Sequence, residues 1–449
     1  MATPGGTLQG QLSVPRPAGW VIPAAVTVLA FGLLLGVTLA NINVPPVPLV
    51  AAVGLGLLGL LILAVARYDA AVVFGIALLG FVFVEPAPPD AVLAVVMLVA
   101  LLTGRFDLAR VPGWVALLLG ALLALNAVSL VGAVDAEGAG RFLATTVFVV
   151  LLAVWLAGYV DSIRRAQGVL LAYLGAALIS AALGIAALLL PIPGRGTLLY
   201  HGCCRAEGMF KDPNVFGPFL VPAVVILLEE LLTPRLFAGR RGWKMAAIVV
   251  LCIGVLVSYS RAAWFDLVIA LVVLLLVLVL RRGGGRSAAA LLATVVVLAG
   301  AAGAYLAATG SEGFLRERAT VQAYDSSRFS AQRAGIRLAE DHPLGVGPGQ
   351  FDVRELISAH SIYVRVLAEQ GVLGFVVLAS LLLGTLALGF DNAVAGRSTY
   401  GIGSAALLAA WCGLLANSFF VDTLHWRHLW VIAALIWAGA MRGYRSALA

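Results

Sequence analysis

The sequence has little charge and few cysteines. Only 11% of its 449 residues are charged, whereas a soluble domain carries roughly 25%, so a water-soluble fold is excluded. Four cysteines are too few for a disulfide scaffold, and the 50 glycines follow no collagen-like period. Hydrophobic residues make up 62% of the chain and the mean hydropathy is +1.05, which excludes intrinsic disorder. The remaining class is a polytopic membrane protein.

Apolar runs separated by charged or Pro/Gly-rich stretches predict the membrane spans. The third and fourth runs are short for a bilayer of about 30 Å, so they form either two tilted spans or a re-entrant pair. We therefore predict an all-α polytopic membrane protein with 12 to 14 transmembrane helices, built as a single domain over residues 1–449. The runs are 20–40, 48–66, 69–84, 90–104, 111–131, 142–160, 167–190, 214–233, 245–259, 262–280, 287–308, 363–390, 401–420 and 429–441.

The distribution of Lys and Arg indicates which loops face the cytoplasm, because basic residues in short loops are retained there. With the N-terminus inside, the cytoplasmic side holds sixteen of the 29 basic residues, whereas outer loops such as 41–47 hold none. Both termini are therefore predicted to be cytoplasmic. The sixteen residues are Arg16, Arg67, Arg105, Arg110, Arg164, Arg165, Arg235, Arg240, Arg241, Lys244, Arg281, Arg282, Arg286, Arg397, Arg442 and Arg445.

Ten further basic residues lie on the outer side and break this pattern. The segment 309–362 is much longer than most other connections, and loops of that length usually have a function. The outer face is therefore the predicted site of function. The ten residues are Arg195, Arg205 and Lys211 in the loop 191–213, Arg261 at a helix start, and Arg316, Arg318, Arg328, Arg333, Arg337 and Arg354 in the segment 309–362.

The first candidate site is the segment 201–214, which leads directly into an apolar helix. Asp212 is expected to cap that helix and Pro213 to occupy its first position. The free N–H groups of the helix then lie beside Arg205 and Lys211, an arrangement that favours anion binding. The alternative is that Arg205 reaches to lipid phosphate at the membrane interface.

The second candidate site is the tight turn Ser258-Tyr-Ser-Arg261 between two spans. Ser260 is expected to cap the following helix, which places a second helix N-terminus and a second guanidinium at the depth of the first. Two Arg side chains suit a diphosphate, because each can bind phosphate oxygens in bidentate fashion. The alternative is an aromatic-belt turn with Trp264.

The third candidate site lies in the long outer segment. Residues 326–340 have helical spacing and present Arg333 and Arg337 on one face, which predicts a basic surface helix; adhesion to anionic lipid is its alternative role. The Gly/Pro-rich stretch 341–349 follows, and it is expected to bring backbone close to a ligand. His360 precedes the next span.

His360 is the candidate general base, since a neutral imidazole accepts a proton near neutral pH. A structural role is its alternative, and His342, His425 and His428 are rivals. His425 and His428 are spaced for metal binding, but the sequence offers no convincing third and fourth ligands, so we expect no metal.

Four motifs occur in a fixed order over residues 205–371: Arg205-x-x-Gly208-x-Phe210-x-x-Pro213-Asn214, Ser260-Arg261-Ala262, Pro343 to Gly349, and His360-x-x-Tyr363 with Glu369-x-Gly371. Together they resemble the O-antigen ligase and polymerase superfamily of bacterial envelope glycosyltransferases. Two positions differ from the family pattern, which usually has a small residue at position 207 and Asn at position 361. The chain has Glu207 and Ser361 there, and these differences leave the acceptor open.

The resemblance implies a GT-C-type fold in the bacterial inner membrane, with residues 309–362 as a periplasmic catalytic loop. It implies an undecaprenyl-diphosphate-linked glycan donor, with Arg205 and Arg261 on the diphosphate and His360 as the base. It also implies inverting transfer without a metal or other cofactor. Membrane lipids are expected partners and nucleic acids are not. Further candidates for donor or acceptor binding are Lys211, Arg328, Arg333, Arg337 and Tyr363.

Three acceptors are compatible with this donor site: a lipid A core sugar in an O-antigen ligase, a second lipid-linked repeat in a polymerase, and Ser or Thr in a protein glycosylase. Ligase activity is the prediction, and polymerase activity is the main alternative. A transporter of lipid-linked glycans is the least supported hypothesis, because transport predicts an internal repeat and charged residues within the spans. The main acidic residues in or near spans are Glu229, Glu230 and Asp266.

Overall fold

The computed structural model describes residues 56, 58–84, 87–239, 241–281, 284–320 and 323–440. The chain divides into two compact units, residues 1–70 and 71–449. Of the first unit the structure describes residues 56 and 58–70. The predicted span 20–40 and the first part of the predicted span 48–66 lie outside the described residues.

The described part of the chain is mainly helical, with one two-stranded antiparallel sheet of β1 (Ser398–Thr399) and β2 (Ile402–Gly403). The helices are α1 (Tyr68–Ala77), α2 (Pro88–Leu102), α3 (Gly113–Ser129), α4 (Ala136–Tyr159), α5 (Ile163–Leu189), α6 (Pro213–Leu232), α7 (Arg241–Val257), α8 (Arg261–Leu280), α9 (Gly285–Thr309), α10 (Glu312–Ala319), α11 (Ala323–Asp341), α12 (Phe351–Arg354), α13 (Ile362–Val394), α14 (Ser404–Asn417) and α15 (Arg427–Ala438).

The apolar runs predicted from residue 69 onward all correspond to helices. Among the described residues, seven helices are long and apolar enough to cross a membrane: α3 with its following 3-10 turn, α4, α5, α6, α8, α9 and α13. The helices at 68–80, 88–102, 404–417 and 427–438 are apolar but shorter. A polytopic membrane protein is therefore confirmed, and the count of 12 to 14 spans stays a prediction.

Helix α6 is the most enclosed of the long apolar helices in the described ranges. Its residues are buried from Phe216 to Leu231, and it packs against α5, α7, α8 and α14. The Tyr173 hydroxyl of α5 donates a hydrogen bond of 2.7 Å to the Phe219 carbonyl of α6. Because α6 is held on several sides, its N-terminus at Pro213 is a fixed point of the structure.

Both predicted helix caps are present. The Asp212 carboxylate accepts a hydrogen bond of 2.8 Å from the Asn214 N–H at the start of α6. The Ser260 hydroxyl accepts one of 3.3 Å from the Ala263 N–H at the start of α8. Side-chain caps of this kind satisfy N–H groups that have no partner within the helix.

Helix α13 is broken at Gly371, where φ is 71°. The Gly/Pro-rich turn docks on this break: the Val346 and Gly347 N–H groups donate to the Ala368 and Glu369 carbonyls at 3.1 and 2.9 Å. A Cβ at Gly371 would lie 2.1 Å from the Pro343 carbonyl oxygen. The turn therefore packs closely against the backbone of α13, and its approach to a ligand stays a prediction.

The acidic residues at the C-terminal end of α6 are bonded within the structure. The Glu229 carboxylate pairs with Arg281 at 3.2 Å and Arg235 at 3.3 Å. The Glu230 carboxylate accepts the Leu236 N–H at 3.1 Å and pairs with buried Lys244 at 3.5 Å. These contacts give both glutamates a role in holding the end of α6 to neighbouring elements.

Candidate active site

Arg205 lies at the base of a small hairpin in the loop 191–213. The hairpin is formed by a bridge between Leu199 and Ala206, and the Ala206 N–H donates to the Val257 carbonyl at the end of α7 at 2.9 Å. The Arg205 side chain donates to the Ser258 carbonyl at 3.0 Å and to the Asn214 amide oxygen at 3.4 Å. Arg205 is thereby tied both to α6 and to the turn that precedes α8.

Arg261 occupies the first position of α8, three residues after the carbonyl that Arg205 contacts. Both terminal nitrogens of its guanidinium bind the Asp325 carboxylate of α11, with Nη1 at 2.9 Å from Oδ2. Nη1 also donates to the Thr320 carbonyl at 3.0 Å. The structure therefore places Arg261 at the end of the turn 258–261 and Arg205 in contact with the first residue of that turn.

A cavity of about 360 Å³ opens beside Arg261. Its polar wall carries three guanidinium groups and one carboxylate, and its other wall is aromatic. This combination is suited to a ligand with an anionic head and an apolar body. The lining residues are Asn214, Arg261, Ala262, Phe265, Arg318, Asp325, Arg328, Phe329, Gln332 and Phe420.

His360 lies just before α13 in a left-handed backbone conformation, with φ of 46°. The Gln332 amide donates to its carbonyl at 3.5 Å, which joins it to a residue of the cavity wall. The pKa of His360 is lowered, first by burial and then by the positive charge of Arg328, while Asp212 acts in the opposite direction. The imidazole is therefore neutral at neutral pH, the form that a general base requires.

Arg328 and Asp212 are close enough to His360 for their charges to influence its pKa. Arg328 lines the cavity, and Asp212 caps α6 beside the Arg205–Asn214 contact. Residues from the three predicted segments are thus brought into one region of the described structure.

Glu207 is a feature of this region whose state the sequence did not indicate. Burial and the charge of Asp212 raise its pKa to about 7, while Arg205 acts in the opposite direction. The carboxylate is consequently only partly ionised near neutral pH. Arg205 thus keeps much of its positive field at the site.

Arg365 is a residue that sequence reasoning missed. It is buried in the first turns of α13 and pairs with three carboxylates: Asp352 at 2.8 Å, Glu369 at 2.9 Å and Asp422 at 2.5 Å. It also donates to the Ser358 hydroxyl at 2.8 Å. This Arg365 cluster fixes the short loop that carries His360. Its only signal in the sequence is the i, i+4 spacing of Arg365 and Glu369.

The remaining predicted residues fall into three settings. Arg328 lines the cavity, and Lys211, Arg333 and Arg337 are exposed on the outer loop and on α11. The predicted basic surface helix 326–340 is thereby confirmed as part of α11. The Tyr363 hydroxyl donates to the Leu415 carbonyl at 2.9 Å, and its ring packs on Phe419.

The histidines considered for a metal lie in packed surroundings. His425 Nε2 is 2.9 Å from the Thr146 hydroxyl, and its ring packs on Phe142. His428 is buried between Phe219 and Trp426. Within the part of the chain that the structure describes, no group of three or more His, Cys, Asp or Glu side chains is arranged to hold a metal ion.

Comparison with known families gives one match: residues 246–379 match the family model of O-antigen ligase. This segment of the chain is similar to the O-antigen ligase family. The matched segment contains Arg261, most of the cavity-lining residues and His360, whereas Arg205 lies before it. The resemblance to the O-antigen ligase and polymerase superfamily is therefore confirmed, and the family implies glycosyltransferase activity of the ligase or polymerase type in a membrane. No curated protein matches the chain.

Proposed function

We propose that this O-antigen ligase family protein transfers a glycan from an undecaprenyl-diphosphate donor to a hydroxyl of a lipid A core sugar, at the periplasmic face of the inner membrane. One observation carries the proposal. Arg205 and Arg261 flank a single turn beside a cavity whose Arg328 is an electrostatic neighbour of His360.

The donor diphosphate is assigned to the polar wall of the cavity. Arg261, Arg318 and Arg328 supply three positive charges there against one carboxylate, and the N-terminus of α8 adds its partial positive charge. Arg205 is linked to this wall by its hydrogen bond to Asn214, which lines the cavity. The aromatic side chains Phe265, Phe329 and Phe420 are suited to the first part of the polyprenyl chain.

The transfer step uses His360 as general base. The acceptor oxygen attacks the anomeric carbon from the side opposite the diphosphate, so the configuration inverts. As this bond forms, the hydroxyl proton passes to the imidazole, and the electron pair of the breaking carbon–oxygen bond goes to undecaprenyl diphosphate. General base assistance of this type contributes about 10²- to 10⁴-fold to the rate.

The developing negative charge on the diphosphate is stabilised by fixed arginines and helix N-termini. Preorganised charge of this kind is usually the largest contribution to catalysis. Arg205 is held by the Ser258 carbonyl and Arg261 by the Thr320 carbonyl, so little reorganisation is required. We expect transfer to persist in the presence of a strong chelator, with the arginines serving in place of a divalent cation.

The sidedness is part of the same proposal. With both termini in the cytoplasm and 12 to 14 spans in a GT-C-type arrangement, the N-termini of α6 and α8 face the periplasm, where lipid-linked glycans are available. The bonding of Glu229 and Glu230 at the other end of α6 favours an enzyme over a transporter that uses them along a pathway.

The decisive experiment is transfer by purified protein in proteoliposomes that contain a lipid-linked repeat, with and without lipid A core. Product only with the core supports a ligase, and repeat polymerisation without it supports the polymerase alternative. His360→Ala is expected to lower the rate by about 10²- to 10⁴-fold.

The matched control is His342→Ala, which removes an exposed imidazole from the same outer segment and is expected to leave the rate unchanged. Wild-type transfer by the His360→Ala protein, with both proteins equally folded, would reject the base assignment.

A further inference from the structure

The Arg261–Asp325 pair joins a predicted donor-binding residue to the outer helix α11. Asp325 binds both terminal nitrogens of the guanidinium, and its side chain is half as exposed as that of Arg261, at 13% against 28%. The pair forms part of the cavity wall, beside Arg318 and Arg328.

A carboxylate in this position has the geometry of a phosphate ligand. The two parallel N–H groups of a guanidinium bind two oxygens of a carboxylate or of a phosphate in the same bidentate fashion. The same two nitrogens cannot bind both anions fully at once. Asp325 and a donor phosphate at Arg261 are therefore in direct competition.

The charges of the cavity wall also support an exchange of Asp325 for a donor phosphate. Asp325 contributes a carboxylate to a cavity wall that also carries the guanidinium groups of Arg261, Arg318 and Arg328. If Asp325 leaves Arg261, the bidentate face of that guanidinium becomes available to a phosphate in a wall rich in positive charge.

We propose that Asp325 sets the donor affinity: its carboxylate occupies the bidentate face of Arg261 and is exchanged for a phosphate of the lipid diphosphate when the donor binds. The inference rests on the proposed function and adds a specificity-determining residue to it.

The test is the donor dependence of transfer by Asp325→Asn, which keeps the shape of the side chain and removes its charge. We expect the donor KM to fall roughly tenfold, the factor that corresponds to about 1.4 kcal/mol, with kcat within twofold of wild type. An unchanged or raised donor KM would overturn the proposal, because a residue that merely orients Arg261 weakens donor binding when it is lost.

Two variants separate this effect from general changes. Asp325→Glu keeps the charge and is expected not to lower the donor KM, and Glu340→Gln removes an exposed charge from the other end of α11 with no effect on it. Thermal unfolding of each variant in detergent reports whether α11 remains docked.

Failure of the inference is distinguishable from failure of the proposed function. Direct binding of undecaprenyl diphosphate in nanodiscs is measured for wild type, Asp325→Asn and Arg261→Ala. If Arg261→Ala binds as tightly as wild type, the diphosphate site itself is misplaced. If Arg261→Ala weakens binding but Asp325→Asn does not strengthen it, only the exchange is wrong.

Discussion

Arg365 and Arg261 differ in how their charges are balanced. Arg365 has a side chain only 5% exposed and is enclosed by Asp352, Glu369 and Asp422, whereas Arg261 is 28% exposed and pairs with Asp325 at a cavity wall. An arginine with excess carboxylates has no positive charge to offer a ligand. An arginine at a cavity wall whose carboxylate partner can be exchanged for a ligand can offer it, so charge balance separates a structural arginine from a binding one.

The largest effect that tests this comparison is expected from Arg365→Ala. Removal of one partner from a buried ion pair costs about 3–5 kcal/mol, because the remaining charges stay buried without compensation. We therefore expect a marked fall in the unfolding temperature, measured by scanning fluorimetry in detergent. A variant as stable as wild type would show that the Arg365 cluster does not hold the loop of His360.

Arg205, which contacts the 258–261 turn, and Arg261, which ends it, provide the contrasting case. We expect Arg205→Ala with Arg261→Ala to lower transfer by roughly 10²- to 10³-fold, the range found when a preorganised charge-stabilising donor is removed, while the unfolding temperature changes little. Radiolabelled glycan transfer and donor binding are the measurements. Intact donor binding in the double variant would break the proposed distinction between the two kinds of arginine.

The smallest expected effect on donor binding comes from Glu207, whose charge acts on Arg205. Its pKa is raised to about 7, so it becomes charged as the pH rises through neutrality and then offsets the positive field of Arg205. We expect the donor KM of wild type to rise between pH 6 and pH 8. Glu207→Gln should abolish that rise, with a change of roughly two- to fivefold at pH 8, as for an exposed ion pair.

The same pKa also predicts a stability trend. The folded protein binds more protons than the unfolded chain between the ordinary pKa of the carboxyl, 4.5, and about 7. Stability therefore falls as the pH rises through this window. Glu207→Gln should flatten this part of the pH dependence of thermal unfolding, and an unchanged slope would place its titration elsewhere.

Much of the fold was predictable because its cause is local. Hydropathy marks each described span, and the Asp212-Pro213 and Ser260-Arg261 pairs mark helix starts by their capping chemistry. From the same local signals, Arg205 and Arg261 were predicted to lie at the same depth in the membrane. The short lengths of α2 and α15 match the short runs 90–104 and 429–441, whereas α14 covers only Ser404–Asn417 of the longer predicted run 401–420.

The partners of the arginines were not predictable, because they come from distant segments. Asp325 lies 64 residues from Arg261, and neither Asp352 nor Asp422 has a spacing that connects it with Arg365. The role of the Gly/Pro turn was likewise hidden: a Cβ at Gly345 would lie 2.3 Å from the Glu369 carbonyl oxygen of α13, a contact between distant segments. Pairing between residues from distant segments depends on how the helices pack, and no local sequence pattern indicates that packing.

The turn between α7 and α8 sets the spacing of the two arginines that are proposed to bind the donor headgroup. Its first residue, Ser258, holds Arg205 through a backbone carbonyl, and its last, Arg261, begins α8. One inserted residue would rotate the start of α8 by about 100° and carry one guanidinium away while the other stayed in place. Among relatives, the length of this turn is therefore expected to tolerate change far less than the identity of its middle residue.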